Sequence, residues 1–357
     1  GPPYLKDTAG KKTIESVYFN AANRNKRSIT LNLANPQGQI LARRLIGECD
    51  ILFENYKVGD LAKYGLAYEQ IKDQTPGLIY CSLTGFGQTG PYASRAGFDL
   101  VIQAMGGLMS ITGPQSGEPV KVGVGIADIM TGMYCNVAIL AALRHREATG
   151  QGQHIDMSLL DCQIAWLVNE GMNHLHTGNR PKPWGSGHAT IVPYQAFPAA
   201  NDEPFILAVG NDRQFLKFCQ FAGAPELARD PRFATNPARV ENRAACVDAV
   251  AALTKTRPRD YWLDGLAPLG VPCGPVNPID EAFANEQVRA RGMRIEIEHP
   301  ATGKSEPYIA SPIRLSQTPV EYNRPAPMLG EHTGEVLGEL LGMGENEIED
   351  LRTCGAV

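Results

Sequence analysis

One carboxylate stands inside an apolar run at Gly150-Gln-Gly-Gln-His-Ile-Asp-Met-Ser-Leu-Leu-Asp161-Cys-Gln-Ile-Ala-Trp166. A carboxylate nucleophile has to be ionised, fixed and poorly hydrated, and Asp161 is the candidate for that role. Ser158, three residues earlier, makes a Ser-x-x-Asp capping box with it, so the same residues also read as an ordinary helix cap. The two readings are compatible, because a cap orients the acid and a helix dipole favours its charged form.

The flanking pattern places the acid. His154 to Met157 alternates like a short strand after a glycine turn, and Leu159 to Val168 carries apolar residues at helical spacing. Asp161 is therefore expected in the first turn of a helix that follows a strand, hemmed in by Leu, Ile and Trp. A second motif, Gly85-Phe-Gly87-Gln-Thr-Gly90, matches the G-x-G-x-x-G of dinucleotide-binding folds. Its context fails: Pro91 and Tyr-Ala-Ser-Arg-Ala-Gly97 follow where a helix is required, and no acid lies about 20 residues on. A tight glycine loop near a ligand is the better reading.

The chain has 357 residues, 43% hydrophobic and 20% charged, with a net charge of −5. That profile fits a globular protein of about two domains and gives no basic block for nucleic acid. Apolar runs such as Val137 to Leu143 fall short of the ~20 residues of a membrane span, so no membrane partner is expected. Eight scattered cysteines without C-x-x-C read as reduced thiols in a cytoplasmic setting, or in the mitochondrial matrix if the source is eukaryotic. No metal site is expected, since the seven histidines show no zinc spacing. The start, Gly1-Pro-Pro-Tyr-Leu-Lys-Asp7, reads like the middle of a protein.

The elements around these residues alternate. Strands are expected at Ser28–Leu33, Asp50–Glu54 and Gly77–Leu83. Helical pieces fall at Gln39–Ile46, Leu61–Tyr64 and Tyr68–Asp73, a βαβαβ rhythm that implies a mostly parallel sheet. Next come a helix over Phe98–Met109, a strand at Val120–Ile126 and a long helix over Asp128–Arg144 that should pack on all sides, with Asp128 as its N-cap. Gly178 to Thr190 is Gly/Pro-rich and reads as a linker or as a mobile cover over a site. Strands Pro193–Phe197 and Pro204–Val209, joined by a turn at Ala200–Glu203, open a second, α+β part. Its helices are expected at Asp212–Ala222, Asn242–Leu253 and Arg259–Leu266, followed by an amphipathic helix near Ile279–Ala290 and β-like Met293–His299. Pro327 to Thr333 leads into a final helix through Leu341.

Six segments together resemble the class III CoA-transferases. They are Asn25-Lys-Arg-Ser-Ile29, Phe53-Glu-Asn55-Tyr-Lys-Val-Gly59, Leu83-Thr-Gly-Phe-Gly-Gln-Thr-Gly-Pro91, Gly150 to Asp156, Gly270-Val-Pro-Cys-Gly-Pro275 and Leu329-Gly-Glu-His-Thr333. The resemblance implies an α/β fold: a Rossmann-like large domain (1–190 and 325–357), a small α+β domain (191–300) and a linker (301–324), with ring-shaped subunits threaded into an interlocked homodimer. It implies Asp161 as the nucleophile. For CoA contacts it implies Asn55, Tyr56 and Lys63, and Arg95 and Phe98 complete the expected set. Trp184, Gly185, Gly187 and His188 would form the loop that closes over the site. Family members usually begin about 50 residues upstream, with a unit that contributes to CoA binding and is absent here.

The implied activity is transfer of CoA from an acyl-CoA donor to a carboxylic acid, with a CoA thioester as substrate and no resident cofactor. Wording such as Ile191-Val-Pro-Tyr-Gln-Ala-Phe197 and Val209-Gly-Asn-Asp212 is similar to members that pass CoA from succinyl-CoA to glutarate or related dicarboxylates. Arg95, Arg180 or His188 could pair a distal carboxylate. Two other readings stay open. The racemase branch places a His where this chain has Phe98 and an Asp that aligns with Asp128; Phe cannot exchange a proton. A catalytically silent CoA-binding homologue is the other.

Overall fold

A computed structural model describes residues 2–200 and 202–357. Gly1, at the head of the Gly1–Asp7 stretch, and Asn201, inside the turn expected at Ala200–Glu203, lie outside the described residues. The strands are β1 (Tyr4–Lys6), β2 (Lys12–Ser16), β3 (Ile51–Glu54), β4 (Ile79–Thr84), β5 (His154–Ser158), β6 (Tyr194–Pro198), β7 (Pro204–Ala208), β8 (Cys273–Pro275), β9 (Arg294–His299) and β10 (Lys304–Ile309). β3, β4 and β5 form a parallel sheet in that order, with Ile51 opposite Ile79 and Tyr80 opposite His154. β6, β7 and β8 are antiparallel, and β1–β2 and β9–β10 are two-stranded antiparallel pairs.

The chain divides into two compact units. The first comprises 1–97, 129–162 and 279–357; the second comprises 98–128 and 163–278.

In the first unit the helix Pro36–Gly47 starts where the sequence allows it: Asn35 accepts the N–H of Gln37, and Pro36 takes the first helical position, which needs no N–H. Its i, i+4 pairs face two ways. Ala42 and Ile46 pack with Leu61, Leu66, Leu78 and Tyr80, whereas Leu41 and Leu45 pack with Val336, Leu337 and Ile348 from the helices Thr333–Leu341 and Glu345–Thr353. Each buried Leu or Ile among them contributes about 1.5–3 kcal/mol. The chain's two ends are thereby joined, and Arg27 adds ion pairs to Glu335 and Glu339.

The second unit is built around Trp262, which stacks on Phe205 and donates its indole N–H to the carbonyl of Thr254 at 2.8 Å. Arg239 is fully buried there without an orphaned donor group: it reaches the carbonyls of Val192 and Phe233 and the carboxylate of Asp212.

Several expectations are corrected. Ser28–Leu33 belongs to no sheet and its last residue enters a turn, because the N–H groups of Ser28, Thr30 and Asn32 are taken by the Nδ1 of His332, the Oγ1 of Thr333 and the carbonyl of Ala356. Val120–Ile126 is likewise not a strand; the N–H of Val122 goes to the side chain of Gln103. The helix expected over Phe98–Met109 runs Asp99–Met105, breaks at Gly107, whose φ of +84° suits glycine, and resumes as Leu108–Ile111. The segment Ile279–Ala290 is two helices, the second capped by Asn285.

The long helix begins at Ile126 and ends at Thr149, so Asp128 lies inside it. The N–H of Ala127 is held instead by the carboxylate of Asp99 at 2.8 Å. Nor does this helix pack on all sides: Thr131, Cys135 and Ala142 are buried, while Ile129, Met133, Val137 and Leu140 are exposed. With 24 residues and a mean hydropathy of 1.6 in its most apolar window, it is long and apolar enough by length and composition to cross a membrane. Unbroken apolar runs missed this because Thr131, Gly132 and Asn136 interrupt them.

Candidate active site

The carboxyl ends of parallel strands are where an α/β sheet binds ligands, and β5 ends at Ser158, directly before the helix Leu159–Ala165. Asp161 is the third residue of that helix, in its first turn as expected. Its N–H is accepted by the Oγ of buried Ser158 at 3.2 Å, and the neighbouring N–H of Leu160 is accepted by the carbonyl of Gly85 at 3.1 Å. The helix start is thus held by its own strand and by the loop that follows β4.

That loop is the Gly85–Gly90 motif. A Cβ on Gly85 would lie 2.5 Å from the Cα of Gly97, so glycine is required for the close approach of the two backbone segments. Gly87, at φ +84°, is buried; its N–H goes to Thr84 Oγ1 at 2.9 Å, and the N–H of Gln88 goes to both carboxylate oxygens of Asp156 at 3.0 and 3.1 Å. No helix begins on Gly90, in agreement with rejection of the dinucleotide reading.

Two buried thiols of the same unit, Cys81 and Cys162, are held towards their protonated forms. A hydrogen bond with Cys135, followed by burial, pushes the Cys81 thiol up, and burial pushes Cys162 up. These sulfurs are poor nucleophiles beside a surface carboxylate. The expected apolar enclosure of that carboxylate is corrected: Asp161 is solvent-exposed, and Ile164 is half exposed one turn on.

The other expected site residues fall as follows. Asn55 follows β3 and donates to the carbonyl of Leu83 on β4; Tyr56 is exposed, its N–H held by Glu54 at 2.7 Å. Lys63 sits on the single turn Leu61–Tyr64, ion-paired with Asp60 at 2.6 Å, which raises its pKa through the hydrogen bond. Arg95 stacks on the ring of Tyr92 at 3.9 Å. These residues share the first unit with Asp161. A cleft of about 160 Å³ near the same strand ends is lined by Glu54, Lys57, Ser82, Gln88 and His154.

Phe98 and residues 184–188 belong to the second unit. Phe98 is 75% exposed. Trp184 lies between two cations, Lys182 at 4.8 Å and Arg243 at 4.5 Å. The loop is pinned at several points: the N–H of Gly185 to the carbonyl of Gly113, the N–H of His188 to the carbonyl of Tyr194, and Arg243 to the carbonyl of Ala189. Asp99 and Asp128 lie close together in this unit, and burial, with the Asp99 charge adding to it, raises the Asp128 pKa.

Sequence reasoning missed Asp156, His154 and the thiol pair. His154 bonds to Ser82 at 3.0 Å and stacks on Tyr68. The strand alternation that put Ser158 on one face of β5 puts His154 and Asp156 on that same face, which is the signal that could have found them.

The model of CoA-transferase family III matches residues 4–333. The chain belongs to CoA-transferase family III. The succinate–glutarate CoA-transferase of Agrobacterium fabrum is 48% identical over 95% of this chain and 84% of its own length. The succinyl-CoA:glutarate CoA-transferase of Homo sapiens is 40% identical over 100% of this chain and 80% of its own. Among solved structures, a CaiB/BaiF family protein from Brucella suis shares 47% identity and a TM-score of 0.82, covering 95% of this chain and 87% of that one. This class III CoA-transferase therefore uses CoA thioesters as substrates on a mixed α/β fold.

Proposed function

We propose that this class III CoA-transferase moves CoA from succinyl-CoA to glutarate, with Asp161 as the covalent carrier. The observation that carries the reading is the fixed first-turn position of Asp161 at the carboxyl end of β5, with Ser158 and Gly85 as its anchors. The substrates follow the names of the bacterial and human relatives.

A carboxylate oxygen of Asp161 attacks the thioester carbonyl; the C–S bond breaks, and a mixed anhydride and CoA thiolate result. The thiolate attacks the aspartyl carbonyl and releases succinate, leaving an aspartyl-CoA thioester. Glutarate's carboxylate then attacks that thioester and expels the thiolate. The thiolate takes the acyl group from the second anhydride, which frees Asp161. Anhydrides hydrolyse, so water has to be excluded. We assign that task to the glycine-bearing loop Trp184–His188, which the family resemblance marks as the cover.

Asn55, Tyr56, Lys63, Arg95 and Phe98 are proposed to contact CoA on a Rossmann-like large domain drawn from both chain ends. The exposed apolar side chains of Ile126–Thr149 support an interlocked homodimer. The free thiols suit a reducing compartment, such as the cytoplasm or a mitochondrial matrix. The racemase alternative lacks a proton carrier at Phe98. The test is a panel of carboxylic acids with succinyl-CoA, read by product mass. Glutaryl-CoA formation that is lost in Asp161→Ala supports the proposal; no glutaryl-CoA, or unchanged exchange by the variant, overturns it.

A further inference from the structure

Three polar side chains point from one face of β5, and each is committed to a different hold. His154 ties β5 to Ser82 of β4 at 3.0 Å, Ser158 takes the N–H of Asp161 at 3.2 Å, and Asp156, between them, takes the N–H of Gln88 on both oxygens. The segment that Asp156 grips is also held by the Oγ1 of Thr84 on the N–H of Gly87, by the close approach of Gly85 to Gly97 and by the ring of Phe86 against Tyr92, but Asp156 supplies the hold on its far end, at Gln88. This loop supplies the carbonyl of Gly85 to Leu160, the residue immediately before Asp161. A continuous run of bonds therefore leads from the Asp156 carboxylate through Gln88, Gly87 and Gly85 to the backbone beside the carrier.

We propose that Asp156 is a positioning residue for CoA transfer: it clamps the glycine loop so that the first turn bearing Asp161 is presented at a fixed place and angle. The proposal rests on the reading of Asp161 as the carrier. Asp156 is itself exposed, so its effect on overall stability is small, because exposed polar bonds are in competition with water. Its effect on rate is larger, since a displacement of about 1 Å at a reacting group costs on the order of 10²-fold.

The test compares Asp156→Ala and Asp156→Asn with the full chain. For Asp156→Ala we expect kcat to fall by about ten- to hundredfold, KM for succinyl-CoA to stay within about twofold, and trapping of the Asp161 acyl group by hydroxylamine to slow in parallel with kcat. The melting temperature should be little changed. Asp156→Asn keeps a carbonyl oxygen for the Gln88 N–H and should recover most of the rate. Amide exchange at Gln88, slow in the parent, should be fast in the Ala variant and slow again in the Asn variant, and this readout is independent of turnover. A kcat within about twofold of the parent for Asp156→Ala, a loss seen in KM rather than kcat, an Asn variant no better than Ala, or unprotected Gln88 in the parent each overturns the proposal. Failure of the carrier reading is distinguishable, because Asp161→Ala would then keep full exchange.

Discussion

Replacing Gly85 by alanine should separate close backbone packing from side-chain chemistry. The added Cβ would stand 2.5 Å from the Cα of Gly97 and 2.8 Å from its nitrogen, about 0.9 Å inside the 3.4 Å at which ordinary contact begins. Both neighbours are backbone, so no rotamer change relieves the overlap and one segment has to move by nearly 1 Å. Gly85 also supplies the carbonyl that accepts the N–H of Leu160, so the movement passes directly to the turn that carries Asp161. Overpacking of this kind costs about 1–3 kcal/mol in stability, and misplacement of a reacting group by about 1 Å costs on the order of 10²-fold in rate. The expected result is a Gly85→Ala protein that folds, melts a few degrees lower and turns over about a hundredfold more slowly. Steady-state transfer from succinyl-CoA to glutarate, measured beside a thermal melt, reads both numbers. A variant with kcat within about twofold of the parent would refute the reasoning, because the loop would then not position the carrier.

Burial pushes the thiols of Cys246 and Cys219 up to about 11 and about 12. Each stays protonated in the folded state while its unfolded counterpart ionises above about 9, so their stabilisation is intact below pH 9 and is lost as pH rises towards 11–12. The slope is about 1.4 kcal/mol per pH unit per thiol; urea melts from pH 7 to 11 should show it, and Cys219→Ala should flatten it. Trp184→Ala removes the ring between Lys182 and Arg243, and the ratio of succinyl-CoA hydrolysis to transfer, followed by free thiol release, should rise severalfold. Lys63→Ala breaks an exposed ion pair and should leave the melting temperature unchanged while KM for succinyl-CoA rises, a change visible in initial-rate kinetics.

The sequence was most informative where local rules act alone. Asp161 in a first turn and the alternation of β6 and β7 follow from capping and period-2 patterning, which need no distant partner. It misled where the partner is remote. Ser28–Leu33 has a strand's alternation, but its N–H groups meet residues about 300 positions away, so no ladder forms. Val120–Ile126 fails as a strand because one buried Gln103 captures its backbone. Asp128 looked like a cap because the real acceptor, Asp99, lies 28 residues upstream. At the site, the carboxylate most expected to be dry is exposed, because its neighbours Leu159 and Cys162 face inward and leave Asp161 on the outer side of the helix. The clamp formed by Asp156 was invisible because its partner is a backbone N–H in a loop 68 residues away.

The central claim is that Asp161 becomes acylated. Incubation of the protein with succinyl-CoA, quenching with hydroxylamine and peptide mass mapping tests it most directly. The account predicts a hydroxamate on Asp161, its carboxyl OH replaced by NHOH, dependent on the donor and absent from Asp161→Ala. An unmodified Asp161 peptide from protein that is turning over, or a hydroxamate on another acid, would contradict it.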